Sequence, residues 1–119
     1  MNIEEFREYC LKKIDVTEST PFGPDTLVFK VSGKMFALTG IQNFESINLK
    51  CDLERAIELR EEFNGVRPGY HMNKKHWNTV EVHSDVSDQQ IYDLIDHSYE
   101  LVVKSLPAAK RKLILDQMN

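Results

Sequence analysis

The sequence predicts a single α+β domain, residues 1–119, with one antiparallel β-sheet flanked by helices. Its 119 residues suit a domain that buries one hydrophobic core. Alternating apolar residues, the pattern of half-buried strands, occur between residues 27 and 51 and again from 76 to 82. Apolar residues at helical spacing precede, separate and follow these runs. The predicted order is therefore α-β-β-β-α-β-α, a helix, three strands, a helix, a strand and a helix.

The first predicted helix begins after Asn2, a residue type that caps helices well. Glu4 and Glu5 support this start, because acidic side chains interact favourably with the positive end of the helix dipole. A loop, TPFGPDT, follows because its two prolines and its glycine interrupt the helical pattern. The buried side of the helix is expected to carry Ile3, Phe6, Cys10, Leu11 and Ile14.

Four strands are predicted from the alternation. Leu27–Val31 and Lys34–Thr39 form a hairpin around an SGK turn, Ile47–Cys51 is the third strand, and Trp77–Val82 is the fourth. In the fourth strand the valines are expected to face the core, with His76 and Asn78 on the same side. Trp77, Thr79 and Glu81 then lie on the opposite face of the sheet.

Two further helices follow from caps and spacing. Asp52 caps the second helix, which ends at Asn64-Gly65, and Ser87 caps the last long helix, which Pro107 closes. The tail 108–119 is expected either to extend the last helix or to fray. The apolar side of the second helix is predicted as Leu53, Ala56, Ile57 and Phe63, and that of the last helix as Ile91, Leu94, Ile95, Val102 and Leu106.

Composition limits the classes of function. The net charge of −4 argues against a protein that coats nucleic acid by bulk attraction, although it allows a local cationic face. The chain has no run near the ~18 apolar residues of a membrane span, and its acidic start does not match a signal peptide. A cytoplasmic location without membrane binding is therefore expected, in which Cys10 and Cys51 stay reduced and buried.

Motifs for catalysis or cofactor binding are missing from the sequence. It contains no C-x-x-C, no G-x-S-x-G, no phosphate-binding P-loop and no G-x-G-x-x-G. His71 and His76 are five residues apart and have no acidic neighbours that would complete a metal site. The sequence favours a protein that is not an enzyme and that uses no metal or cofactor.

One segment, GVRPGYHMNKKHWNTVEV (65–82), gathers three basic residues, two histidines, a tyrosine and the single tryptophan. If the neighbouring strands turn their apolar sides to the core, the outer face of the sheet carries Lys30, Asn48, Lys50, Trp77 and Thr79. Arg67, Lys74 and Lys75 would lie on the loop beside that face. A structural alternative is that Pro68-Gly69 only shapes a turn, with Trp77 covered by the loop and the lysines solvated.

Several of these stretches resemble the MmcQ/YjbR family of small bacterial proteins. The resemblance runs from about Phe6 to Pro107 and rests on PFGPDTLVFKVSGKMFAL, INLKCD, VRPGYHMNKKHWNTV and LIDHSYELVVKSLP. It implies a CyaY-like (frataxin-like) fold and a predicted DNA-binding function through a double-wing arrangement. The family motif maps onto Pro21, Phe22, Gly23, Asn48, Leu49, Lys50, Arg67, Pro68, Gly69, Tyr70, His71, Met72, Asn73, Lys74, His76, Trp77 and Asn78.

Two functions stay open at this point, with an unrecognised enzyme as a third and less favoured alternative. In the first, the protein binds DNA weakly and in a salt-sensitive manner, with cations on phosphates and aromatic rings on bases or sugars. In the second, Arg67, Lys50 and Lys74 hold an anionic small molecule or the acidic groups of a protein partner. Residues 66–78 are the predicted functional surface. The predicted nucleic-acid or anion-binding residues are Lys30, Lys50, Arg67, Tyr70, His71, Lys74, Lys75 and Trp77.

Overall fold

The computed structural model describes residues 1–69 and 72–118. It confirms an α+β fold with a six-stranded antiparallel sheet, in the order β1-β2-β3-β4-β6-β5, and four helices. The elements are α1 (Ile3–Leu11), β1 (Val16–Ser19), β2 (Thr26–Val31), β3 (Lys34–Gly40), β4 (Ser46–Lys50), α2 (Leu53–Glu62), β5 (Val66–Pro68), β6 (Trp77–Glu81), α3 (Asp88–Lys104) and α4 (Ala108–Met118).

The predicted element order is wrong at three places, because it omits β1, β5 and α4. The sequences of the two missed strands, VTES and VRP, are too short to show alternation, and both strands lie at the edges of the sheet. An edge strand can be this short and can include a proline, since one side of it needs no hydrogen-bond partner in the sheet. The C-terminal tail is a separate helix that begins directly after Pro107.

The hairpin between β2 and β3 turns at Ser32 and Gly33, whose φ angles are 48° and 81°. Two successive residues with positive φ match the twist of the paired strands. Further along, Phe29 pairs with Ala37 and Lys30 with Met35, so Phe36 is an extra residue in β3. This β-bulge lets Phe36 and Ala37 both enter the core.

The core lies between one face of the sheet and the helices. Phe6 of α1 meets Phe29 edge-on at 5.3 Å between ring centroids, and Tyr99 of α3 meets Phe36 at 5.4 Å. Ser98 fixes α3 to the sheet, because its hydroxyl donates to the Phe36 carbonyl and accepts from the Lys50 backbone N–H at 2.9 Å. The sheet residues in this core are Phe29, Val31, Phe36, Ala37, Ile47, Leu49, Val66, Val80 and Val82.

The helix caps agree with the predictions. Asn2 and Ser87 form capping boxes, and Asp52 accepts from the Arg55 N–H. The predicted buried stripe of α3 is confirmed. The predicted apolar side of α2 is wrong in part: Leu53 and Ile57 are 41% and 44% exposed.

The predicted Ala56 is fully buried, and Leu59, which was not predicted, packs against the core together with the predicted Phe63. In the described part of the chain, no helix is long and apolar enough to cross a membrane.

We predict that neither cysteine of the native protein reacts quickly with a bulky thiol reagent at pH 8. Cys10 is fully buried and Cys51 is 4% exposed. Burial raises the pKa of the Cys10 thiol far above its usual range and that of Cys51 to about 11, so little thiolate forms. Both thiols should react at once in denaturant. Rapid labelling of either thiol in the native state would contradict its placement.

A second prediction concerns His97, whose Nε2 accepts a hydrogen bond from the Asp52 N–H at 3.1 Å. Burial is the main cause that lowers the pKa of His97 below its usual value, and the positive charge of the nearby Arg55 lowers it further. The folded state therefore binds fewer protons at this site than the unfolded state. The resulting stabilisation is complete above the unfolded pKa of about 6.5 and is lost as the pH falls below it.

Replacing His97→Gln keeps a hydrogen-bond acceptor but removes the titration. The free energy of unfolding of this variant, measured by urea titration between pH 7.5 and pH 5.5, should depend less on pH than that of the wild type. His83→Gln, at an exposed histidine, is the control. An unchanged pH dependence in the His97 variant would show that folding does not lower the pKa of His97.

Candidate functional site

A row of side chains crosses the face of the sheet that points away from the core. The strand register places Val28 opposite Leu38, Leu38 opposite Asn48, Asn48 opposite Thr79, and Thr79 opposite Arg67. The row is therefore apolar on β2 and β3 and polar on β4, β6 and β5. We call this side of the sheet the outer face.

A cleft of about 640 Å³ lies over this row. Two loops form its walls: Phe22 comes from the connection between β1 and β2, and Met72 comes from the connection between β5 and β6. This volume falls within the range of about 300–1,000 Å³ that is typical of small-molecule sites. The described residues that line it are Phe22, Thr26, Met35, Leu38, Thr39, Gly40, Ser46, Asn48, Arg67, Met72 and Thr79.

The polar end of the cleft is organised by two side-chain contacts. The Thr79 hydroxyl donates to the side-chain oxygen (Oδ1) of Asn48 at 2.6 Å, which leaves the two N–H donors of the Asn48 side-chain amide. Arg67 Nη1 donates to Glu81 Oε1 at 2.5 Å. Since Glu81 accepts from only one of the five N–H donors of the guanidinium, Arg67 can still bind an anion.

A smaller cavity of about 260 Å³ adjoins the cleft. Glu45, Glu81 and Val82 line it, together with Ser46 and Arg67, which also line the cleft. Arg67 therefore lies between the cleft and the small cavity, and the small cavity is lined by the carboxylates of Glu45 and Glu81.

The alternation predicted the outer-face positions correctly. Lys50 pairs with Trp77, Asn48 pairs with Thr79, and Lys30 lies on the same face at its pairing with Thr17. Trp77, however, is only 8% exposed. Gly69 continues β5 directly beside Trp77: a Cβ at Gly69 would lie 3.2 Å from the Trp77 Cβ, and the Gly69 N–H donates to the Trp77 backbone carbonyl at 3.0 Å. The burial of Trp77 agrees with the part of the structural alternative in which the tryptophan is covered, but Pro68 is the last residue of β5 and does not shape a turn.

The position predicted for His76 is wrong. His76 is exposed and precedes β6, because Asn73 forms a turn that ends at Trp77. The Asn73 carbonyl accepts from the backbone N–H groups of His76 at 3.1 Å and Trp77 at 2.9 Å, and its side chain accepts from the Lys75 N–H at 3.0 Å. Asn78 is buried on the helix side, as predicted.

The remaining predicted site residues fall into two groups. Lys74 and Lys75 are exposed on the Asn73 turn, beside His76. Tyr70 and His71 lie outside the described residues. Among the described residues, no group of three or more His, Cys, Asp or Glu side chains is placed to hold a metal ion.

Arg60, which the sequence does not single out, connects α2 to the segment around the cleft. Arg60 Nε donates to Asn78 Oδ1 at 2.7 Å, and Nη2 donates to the backbone carbonyls of Lys74 and Trp77. Asn78 in turn donates to the Ala56 carbonyl at 3.4 Å. No local signal distinguishes this arginine, since a cation in the last turn of a helix is already favoured by the helix dipole.

We predict that Arg60→Leu destabilises the protein by about 1–3 kcal/mol, because the buried Asn78 loses its charged donor and the turn loses its link to α2. Urea unfolding measures this change. The control is Arg111→Leu, which removes an arginine of α4 with one hydrogen bond of 3.3 Å to a backbone carbonyl. That variant should differ from wild type by less than about 0.5 kcal/mol. Equal effects of the two substitutions would refute the role of Arg60.

Comparison with known proteins gives consistent matches. The family model YjbR matches residues 11–101. The uncharacterized protein YjbR of Escherichia coli strain K12 is 37% identical over 116 residues, which cover 97% of this chain and 98% of that protein. The uncharacterized protein YbdF of Escherichia coli O157:H7 is 39% identical over 95 residues, 79% of this chain and 78% of that protein.

Two solved structures are similar as well. The crystal structure of Deinococcus radiodurans protein DR2400, with the family-model domain DUF419, is 38% identical with a TM-score of 0.88, covering 95% of this chain and 87% of that one. A crystal structure of a Pseudomonas syringae protein is 34% identical with a TM-score of 0.71, covering 85% of this chain and 98% of that one.

Proposed function

The chain belongs to the YjbR family, and from this premise we propose that it binds a small amphipathic anion in the cleft on the outer face of its sheet. The observation that carries the proposal is the cleft of about 640 Å³ with Arg67 at its polar end. An occupant of this kind places its apolar part between the two loops and its anionic group on the guanidinium.

The two ends of the cleft differ in chemistry. Phe22, Met35, Leu38 and Met72 provide an apolar surface, and burial of a ligand against it contributes roughly 25 cal/mol per Å². At the polar end, charge-assisted hydrogen bonds from Arg67 orient the ligand and select its charge. Such a combination of apolar walls with a few placed polar groups is typical of small-molecule sites.

The residues that line the cleft favour a protein that binds a ligand and does not convert it. The side chains that the structure describes in the cleft include no Cys, His, Asp or Glu, so they offer no general acid or base near neutral pH and none that would activate the hydroxyls of Ser46 or Thr79 as nucleophiles. We therefore propose a protein that binds or senses the ligand of the cleft.

DNA binding is the second candidate, supported by one specific observation. Lys74, Lys75 and His76 are exposed together on a single turn, where they can approach phosphates. The net charge of −4 and the burial of Trp77 argue for weak binding without base stacking. The double-wing arrangement and the CyaY-like fold remain predictions from the family resemblance.

We predict that apolar carboxylic acids, screened by protein-observed NMR, shift the backbone signals of Asn48 and Thr79. Arg67→Met should weaken this binding about tenfold to a hundredfold, since a hydrogen bond to a charged group contributes about 1.5–3 kcal/mol. The pair with Glu81 is half exposed, so its loss should hardly change stability. Lys75→Met removes the same charge outside the cleft and should leave binding unchanged. Shifts confined to other surfaces would refute the proposed site.

The DNA candidate has a separate test. Replacing Lys74 and Lys75 together by Ala should leave the thermal midpoint nearly unchanged, because exposed substitutions usually cost less than about 0.5 kcal/mol. The affinity for duplex DNA should fall, and the slope of log K against log salt should flatten by roughly one unit for each phosphate that the protein no longer neutralises. If the wild type binds no DNA at low salt, this candidate fails. If the variant unfolds, the turn is structural.

A further inference from the structure

The polar end of the cleft contains Arg67 and Glu81, whose opposite charges nearly cancel. Arg67 and Glu81 are in direct contact, with 2.5 Å between Nη1 and Oε1. Both side chains remain accessible, at 39% and 46% exposure. A ligand that reaches Arg67 from the cleft therefore also meets a carboxylate.

A ligand that carries only negative charge is poorly matched to this pair. Its anionic group would gain the contact with Arg67 but would be repelled by Glu81 and by Glu45, which lines the same small cavity. The repulsion is largest for a dianion such as a phosphate monoester. A group with a positive charge next to its negative charge avoids this cost, because each charge finds its opposite.

We infer that the ligand of the cleft is an α-amino acid with a large apolar side chain, whose carboxylate binds Arg67 and whose ammonium group binds Glu81. This inference rests on the proposed function: it keeps an amphipathic ligand with its anionic group on Arg67, and it adds a cationic group beside that anion. In an α-amino acid the two charged groups are attached to the same carbon atom. Their spacing suits a guanidinium and a carboxylate that already touch.

The rest of the cleft accommodates the remainder of such a molecule. Ser46 and Arg67 line both cavities, so the ammonium group can enter the acidic one while the side chain stays in the cleft. The N–H donors of the Asn48 amide are available for the second carboxylate oxygen. An apolar or aromatic side chain then lies over Met35 and Leu38, between Phe22 and Met72.

Three probes with the same phenyl body separate the contributions of the charges: L-phenylalanine, 3-phenylpropionate and 2-phenylethylamine. Each is titrated into the full chain and followed by the backbone NMR signals of Asn48, Arg67 and Thr79. L-phenylalanine should bind about fivefold more tightly than either analogue, as expected for one additional half-exposed charge pair.

Two variants and a control assign the charges. Glu81→Gln should reduce the affinity for L-phenylalanine to that for 3-phenylpropionate without weakening the latter. Arg67→Gln should reduce the affinity for L-phenylalanine to that for 2-phenylethylamine. Glu54→Gln, which removes an acidic charge from α2 on the other side of the sheet, should change nothing.

The outcomes distinguish this inference from the proposed function. If 3-phenylpropionate binds most tightly, the cleft takes a simple carboxylate: the inference is wrong and the proposed function stands. If 2-phenylethylamine binds most tightly, both are wrong. If none of the three shifts these signals, the inference is wrong, and the wider acid screen decides the proposed function.

Discussion

The helices of this protein cover only one face of its six-stranded sheet, and most features of the candidate site follow from that constraint. The outer face must be covered in another way, because Val28, Met35 and Leu38 place apolar side chains on it. The covering comes from two connecting loops, which contribute Phe22 and Met72. Loops can cover such a face only in part, so a cleft remains. Phe22 is 63% exposed, so much of its apolar surface is available to an occupant.

The second loop is fixed from the opposite side of the sheet. Arg60 reaches from α2 to Asn78 and to the carbonyls of Lys74 and Trp77, so α2 holds the turn that leads into β6. Asn78 is 2% exposed, and a buried amide without partners would cost roughly 1–3 kcal/mol. The same hydrogen bonds that satisfy this amide therefore also hold the end of the loop that forms one wall of the cleft.

Periodicity predicted those features that repeat along one strand or helix. The period of two placed Trp77, Thr79 and Glu81 on the outer face, and N-terminal caps located the starts of three helices. The period of two gave the wrong position for His76, because His76 belongs to the turn before β6 and not to the strand itself. Contacts across the sheet have no such local signal. Arg67 and Glu81 are separated by 14 residues and meet only because β5 and β6 pair, and VRP alone does not indicate a strand.

The contact between Arg67 and Glu81 also bears on what the outer face is for. A half-exposed ion pair contributes little to stability, about 0–1 kcal/mol. It joins a three-residue edge strand to its neighbour, where the backbone hydrogen bonds already provide the pairing. A pair that stabilises the fold so weakly can open toward a ligand at little cost. Under the proposed function the pair serves as a recognition element at the polar end of the cleft, where a bound ligand partly displaces water and each charge interacts more strongly with an opposite one.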